Sequence, residues 1–257
     1  YFNPDAVEAF MELARKEYFW LSLCSPSSST ILAGIDRSSF IKLNINNLLS
    51  LAELFARIID FRGFTGVHSY GVAVVAEKLA ALTGFSADDC RFMKVAGYLH
   101  DLGKLVVPAE ILEKPGKLNK VEFNVIRSHP YYTFRILNNV DSLQTINTWA
   151  AFHHERLDGS GYPFHLTAQE LSPGSLIMSV ADVFTALTEV RPYRPGMEKQ
   201  EVLKILTQMV AESALEGDLV GLIQKNYQEI NYLRAEAQKE SAAFLSFYFD
   251  RKFKSEA

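Results

Sequence analysis

Apolar residues recur along this chain at helical rather than alternating intervals. Val7, Phe10, Met11, Leu13 and Ala14 form one stripe, and with Pro4 in a first turn they predict a helix over residues 4–20. Ser25-Pro26-Ser27-Ser28-Ser29 breaks the pattern. A second helix is expected over 45–60, with the glycines at 63 and 66 after it. A third covers 67–82, where Val74, Val75, Leu79 and Leu82 are apolar and Gly84 is the stop. Asp88 opens a fourth, which carries Val95, Ala96 and Leu99 and ends at His100-Asp101. Beyond a loop marked by Pro108, Pro115 and Gly116, Asn119 caps a helix that reaches His129, and Pro130 follows it. Residues 131–138, 145–154 and 173–189 read as further helices, separated by the glycine-rich stretch 156–163 and followed by the break at 191–196. Three more helices fill the chain from Met197 onward. No strand pattern competes, so the expected fold class is all-α.

Composition narrows the class. The 257 residues carry 26 Lys+Arg against 30 Asp+Glu, a net charge of −4, with 48% hydrophobic and 22% charged residues. These are the proportions of an ordinary globular chain with room for a substantial core. The absence of a basic run argues against binding a nucleic-acid polymer through its backbone. An anionic substrate stays compatible with this charge if metal ions supply local positive potential. Cys24 and Cys90 are the only cysteines and stand in no metal-type spacing, so no disulfide framework and a reducing cytoplasm are expected. No uncharged apolar run approaches membrane-spanning length, and no signal-peptide pattern is present. Because the chain begins at Tyr1, it is expected to be a fragment of a longer protein.

The chemistry concentrates at Tyr98-Leu99-His100-Asp101-Leu102-Gly103-Lys104. Adjacent His and Asp reach one site only where a helix ends, and together they offer two ligand types for a divalent cation. His68 begins another helix, His129 closes one, and His153-His154 closes a further one. Each could be a polar helix end when taken singly. Asp182, however, lies among apolar neighbours in Ser179-Val180-Ala181-Asp182-Val183-Phe184, where a lone carboxylate needs a strong partner. One buried cluster accounts for all of these residues. Several imidazoles with two carboxylates suit a pair of divalent transition metals, and Asp101 has the two oxygens needed to bridge them. Paired metals recur in phosphoester hydrolysis.

The set His68, His100-Asp101, His129, His153-His154 and Asp182 resembles the HD superfamily of metal-dependent phosphohydrolases. His153-His154-Glu155-Arg156-Leu157-Asp158-Gly159-Ser160-Gly161-Tyr162-Pro163 resembles, more narrowly, the signature of the HD-GYP family. Lys114-Pro115-Gly116-Lys117-Leu118, Ala181-Asp182-Val183-Phe184, Ala186-Leu187-Thr188 and Arg191-Pro192-Tyr193-Arg194 continue the match, which spans about 64–196. The resemblance implies a helical HD-domain bundle around a buried bimetal site, iron or manganese being usual, and hydrolysis of cyclic di-GMP to linear pGpG or GMP in bacterial signalling. It implies that His68, His100, Asp101, His129, His153, His154 and Asp182 are metal ligands, with Asp101 as the bridge. Lys104 matches the lysine that meets the scissile phosphate. Arg191 and Arg194 match phosphate-holding positions, and Gly161-Tyr162-Pro163 matches the loop beside the site, sometimes linked to diguanylate cyclase domains.

Where trinuclear members resemble one another in a carboxylate four residues before the first histidine, this chain has Phe64, so two metals are expected. One of His153 and His154 is then left over from the first coordination sphere. Gly71 and Ala109 stand where many members have arginine and aspartate. His165, outside the motif, is expected at the surface. Residues 1–50 form an N-terminal helical segment, either the remnant of a preceding module or a lead-in specific to this chain, and 51–257 form the HD-GYP domain with its C-terminal helices. Tyr227, Tyr232, Phe244, Phe247 and Phe249 are expected to complete the core or a homodimer face. Two other readings stay open: a low-activity binding or scaffold module that contacts partner signalling domains, and a phosphohydrolase of another cyclic nucleotide or dinucleotide.

Overall fold

The computed structural model describes residues 4–24, 43–62, 67–190 and 195–254. Among them the chain forms thirteen α-helices. These are α1 (Pro4–Leu13), α2 (Glu17–Cys24), α3 (Ile45–Arg62), α4 (His68–Leu82), α5 (Ala87–Leu99), α6 (Ala109–Leu112), α7 (Lys120–Arg127), α8 (His129–Leu137), α9 (Gln144–Ala151), α10 (Pro173–Thr188), α11 (Lys199–Ala211), α12 (Gly217–Lys225) and α13 (Tyr227–Lys254). Two 3₁₀ turns, Leu102–Val106 and Asp141–Leu143, complete the helical set. A single antiparallel bridge between Asp158 and Thr167 is the only β pairing among the described residues.

Local chemistry sets the helix starts. Ser86 Oγ accepts from the Asp89 N–H at the head of α5, where Asp88 and Asp89 also face the positive end of the helix dipole. Asn119 and Glu122 form a reciprocal capping box at α7. Ser172 caps α10, with Pro173 at its first position. Several boundaries differ from the sequence expectation: α6 stands within the stretch read as a loop, and α9 stops at Ala151, which leaves His153 and His154 in the turn beyond it. Residues 4–20 form two helices, because α2 turns away to dock elsewhere: the Tyr18 N–H donates to Pro163 O at 3.2 Å and its ring packs on Phe164. His129 opens α8 instead of closing α7. Pro130 occupies the first turn of α8, where its missing N–H has no intrahelical partner to lose.

Helix α4 is the axis of the core. Val72, Ala73, Val75, Ala76, Leu79 and Ala80 are fully buried, and the helix packs against α5, α10 and α13. Its small side chains permit close approach. A Cβ on Gly97 of α5 would lie 2.5 Å from Ala73 Cα, so the two backbones touch at that crossing. That contact fixes the helix that begins at His68 against the helix that ends at His100. In the same way a Cβ on Gly174 would strike the Trp149 indole at 2.2 Å, so the glycine of α10 leaves the space that this α9 side chain fills. Phe184, Met178 and Ile177 of α10, Leu206 of α11, and Ile223 and Ile230 of α12 and α13 close the core. At about 1.5–3 kcal/mol for each large apolar side chain removed from water, this packing can hold a crowd of polar residues at its edge.

Candidate metal centre

The turn after α5 is built around one glycine. A Cβ on Gly103 would fall 1.9 Å from His129 O and 2.7 Å from Thr133 N, so only hydrogen fits there. The Gly103 N–H donates to Thr133 Oγ1 at 2.9 Å, and Thr133 Oγ1–H donates to His100 O at 3.0 Å. The start of α8 is thereby locked against the His100-Asp101 turn. On the other side, Asp60 at the end of α3 accepts from Ser69 N–H at 2.9 Å and Ser69 Oγ–H at 2.8 Å, tethering the first turn of α4 beside His68.

The seven residues expected to be ligands converge from four helix ends and the middle of α10, and six of them are buried, His154 being partly exposed. His68, His100 and Asp101 bring ligand atoms within 4.8 Å of one another, and so do His129, His153 and His154. The two carboxylates span the two groups. Asp101 Oδ1 lies 3.1 Å from His129 Nε2 and its Oδ2 3.4 Å from His100 Nε2. Asp182 Oδ1 lies 3.1 Å from His68 Nε2 and 4.0 Å from His100 Nε2, while its Oδ2 is 3.8 Å from His154 Nδ1.

The hydrogen bonding behind the rings fits a metal. His100 Nδ1 meets Gly97 O at 2.8 Å, His129 Nδ1 meets Ile126 O at 2.7 Å, and His153 Nδ1 meets Ala150 O at 2.7 Å. A carbonyl can only accept, so each Nδ1 carries a proton, and in the neutral ring each Nε2 is left with its lone pair toward the interior. His129 Nε2 and His153 Nε2 then face each other at 3.2 Å, two acceptors in contact. A metal ion between or beside the two would take both lone pairs, and outer partners that fix the tautomer in this way are a regular feature of metal-bound histidines. Both members of the His153-His154 pair turn inward, so neither is left outside the cluster.

Electrostatics point the same way. Burial disfavours charge on His100, His153 and His154 and lowers all three, His154 to about 3, so these rings are neutral donors. Burial also opposes charge on Asp101, but Lys104, His100 and His129 outweigh it and hold this carboxyl well below its usual range. Asp182 is lowered likewise, its burial overcome by His68 and His154. His68 is raised, to about 10. Burial opposes its charge, and Glu189 and Asp182 on either side prevail.

Lys104 Nζ sits 2.5 Å from Asp101 Oδ2, at the rim of the cluster with part of its side chain exposed. The loop 161–163 lies alongside. The Tyr162 ring is 4.9 Å from the His154 ring, and the Arg127 guanidinium stacks 4.3 Å above Tyr162. Gly161 packs so tightly that a Cβ would lie 2.4 Å from Glu155 Cα. Pro163 follows Tyr162 through a cis peptide and presents its carbonyl to α2. Arg191, Arg194 and Phe64 lie outside the described residues. His165 is half-buried rather than on the open surface: it pairs with Glu17 of α2 and meets Gly159 O at 3.1 Å.

Three buried carboxylates escaped the sequence reading. Glu155 accepts from Phe164 N–H at 2.7 Å and Leu166 N–H at 2.9 Å, which folds the loop back over the site. Asp60 tethers α4 through Ser69. Glu189 accepts from His68 Nδ1–H at 2.9 Å. It is the extended residue that caps the end of α10, so helical spacing from Asp182 gave no signal for it.

Comparison with known proteins places these features in a wider group. The family model described as HD domain matches residues 42–219. Over 231 residues, 89% of this chain and 54% of the relative, the sequence is 36% identical to the 3'3'-cGAMP-specific phosphodiesterase 1 of Vibrio cholerae. Over 154 residues, 59% of this chain and 41% of the relative, it is 37% identical to the cyclic di-GMP phosphodiesterase response regulator RpfG of Xanthomonas campestris. The chain spans about half the length of the curated relatives it matches. Among solved structures, Bd1817, an HDG"Y"P protein from Bdellovibrio bacteriovorus, shares the fold with a TM-score of 0.51 at 18% identity, over 74% of this chain and 64% of that one.

Proposed function

We propose, from the premise that this chain belongs to the HD domain family and to its HD-GYP branch, that it is a metal-dependent phosphodiesterase that opens a cyclic dinucleotide. The observation that carries this reading is the inward set of bare Nε2 lone pairs, with Asp101 lying between the two groups of histidines. His68, His100, Asp101, His129, His153, His154 and Asp182 would hold two divalent ions, iron or manganese. The chemistry such a pair supplies when bound is Lewis-acid activation of a phosphodiester and of water.

The chain's own residues then do the following. Asp101 offers one oxygen to each half of the centre and keeps its charge at any working pH. Lys104, anchored on that carboxylate but reaching solvent, offsets charge on a non-bridging phosphoryl oxygen as the transition state forms. Tyr162, held between Arg127 and the His154 ring, forms part of the wall beside the centre and would limit the space left for a nucleobase. Arg191 and Arg194 would hold the second phosphate.

Two substrates follow from different observations. The Gly161-Tyr162-Pro163 signature favours cyclic di-GMP. The match over 89% of the chain to a 3'3'-cGAMP-specific enzyme favours 3'3'-cGAMP, since the match to RpfG covers only 59%. A cytoplasmic place of action and contact of the 161–163 loop with diguanylate cyclase domains belong to the same proposal. Anaerobic protein reloaded with Mn²⁺ or Fe²⁺ should convert at least one of these dinucleotides to a linear product, and the ratio of kcat/KM values decides between them. Absence of turnover on both, and on cyclic di-AMP, with the metals bound would leave the scaffold reading in its place.

A further inference from the structure

A buried polar chain runs from the C-terminal helix into the metal centre. Arg234 of α13 donates through Nη1 to Gln238 Oε1 one turn further on. Gln238 Nε2 donates to Glu189 Oε2 at 3.2 Å, and the same Glu189 oxygen takes the His68 Nδ1–H at 2.9 Å. His68 Nε2 then faces Asp182. All five residues are buried. Directionality is fixed at every link, because arginine can only donate and a carboxylate can only accept, which leaves Gln238 a single amide orientation.

Gly71 makes the chain possible. A Cβ at this position near the start of α4 would lie 2.8 Å from Gln238 Nε2 and 2.7 Å from Thr185 Cγ2. The glycine therefore leaves the space through which α13 reaches Glu189. Arg234 and Gln238 are one turn apart on one face of α13, so both point into this gap.

We infer that Glu189, held by Gln238 of α13, is a positioning residue that fixes the tautomer and aim of His68 and so sets the affinity of the His68 half of the centre. The remaining histidines expected as ligands that hydrogen-bond through Nδ1 to the backbone use a neutral carbonyl for this purpose; His68 uses a carboxylate that is itself secured by another helix. A carboxylate behind a histidine makes the ring a better donor as well as a fixed one. The C-terminal helix thereby acts on metal binding without touching a metal. This inference rests on the reading of the cluster as a metal centre and not on the choice of substrate.

The test is titration of the metal-stripped 257-residue chain with Mn²⁺ by calorimetry, using His68→Ala to identify the binding step that belongs to His68. Glu189→Ala should weaken that step by roughly 10–100-fold, the range expected for an outer-shell partner. Glu189→Gln, which keeps an acceptor but no charge, should weaken it less. Gln238→Leu and Gly71→Ala should shift the same step in the same direction. The step belonging to His129, His153 and His154 should stay within about threefold in all four, as no outer-shell partner is lost there. Should Glu189→Ala fail to fold, by circular dichroism, the Gln238→Leu and Glu189→Gln variants carry the comparison. Folded variants that bind both ions within twofold of wild type, or that lose both steps equally, would overturn the inference. A wild-type chain that binds no Mn²⁺ would overturn the metal-centre reading beneath it.

Discussion

Replacing Gly103 by alanine adds one methyl group where the chain has no room for it. The new Cβ would sit 1.9 Å from His129 O and 2.8 Å from His129 C, both backbone atoms at the first residue of α8. Backbone cannot rotate aside as a long side chain can, so the 3₁₀ turn must lift away from α8. Lifting breaks the Gly103 N–H bond to Thr133 Oγ1, which in turn releases Thr133 from His100 O. Overpacking of this kind costs about 1–3 kcal/mol and a lost buried hydrogen bond about 1 more, for a total of roughly 2–4 kcal/mol. The same displacement separates His100 and Asp101 from His129, so Mn²⁺ affinity should fall together with stability. Urea unfolding and calorimetric titration read both quantities. Gly221→Ala serves as the control: a Cβ there meets nothing within 4 Å inside α12, and the change should stabilise by about 0.5–1 kcal/mol. If Gly103→Ala unfolds within about 0.5 kcal/mol of wild type and keeps its metal affinity, that 1.9 Å approach does not brace the site.

In the proposed role Lys104 is an electrostatic stabiliser and no ligand, so Lys104→Ala should retain wild-type metal content while kcat/KM falls by roughly 10²–10³-fold. Loss of metal from that variant, measured by mass spectrometry, would place Lys104 in the wrong role. Asp60 gives a pH test on metal-free protein. Burial raises it from 3.8 to about 6, so the folded chain holds the proton more tightly than the unfolded chain does, and stability declines as pH rises through that window. Asp60→Asn keeps an acceptor for Ser69 without the charge. Its stability relative to wild type should therefore rise by about 1–2 kcal/mol between about pH 5 and pH 7.5, because holding one proton across one pH unit is equivalent to about 1.4 kcal/mol. A pH-independent difference would show that Asp60 is not titrating there.

Much of the architecture was legible in the sequence because several helices carry a local start, stripe or stop. Asn119 with Glu122, Ser172 with Pro173, and Gly84 are local signals that tertiary packing did not overrule. The residues of the histidine cluster were legible for a related reason: an aspartate inside an apolar helix is too costly to bury alone, and histidines at several helix ends supply the company it needs. The differences lie where long-range contact decides. Residues 4–20 hold a continuous apolar stripe, yet α2 breaks away because Tyr18 finds partners at 163–164. His165 sits in a polar stretch, yet Glu17, 148 residues earlier, half-buries it. Glu189 has the local sequence of a solvent-facing charge at a helix end. Its burial depends on His68, 121 residues away, and on Gln238, 49 residues away, and no local window contains either.

Whether the converging imidazoles and Asp101 hold two divalent ions is decided by metal stoichiometry, independently of any substrate. It is measured by inductively coupled plasma mass spectrometry on protein prepared anaerobically with Fe²⁺ or Mn²⁺, for wild type and for Asp101→Ala. The predicted result is close to two ions per wild-type chain. Asp101→Ala should hold fewer than one, with a lower Tm, since the bridging charge between the cations is gone and bound metal stabilises only the folded state. A wild-type chain that carries no tightly held ion, or an Asp101→Ala variant that keeps both, would contradict the assignment of this cluster as a two-metal centre.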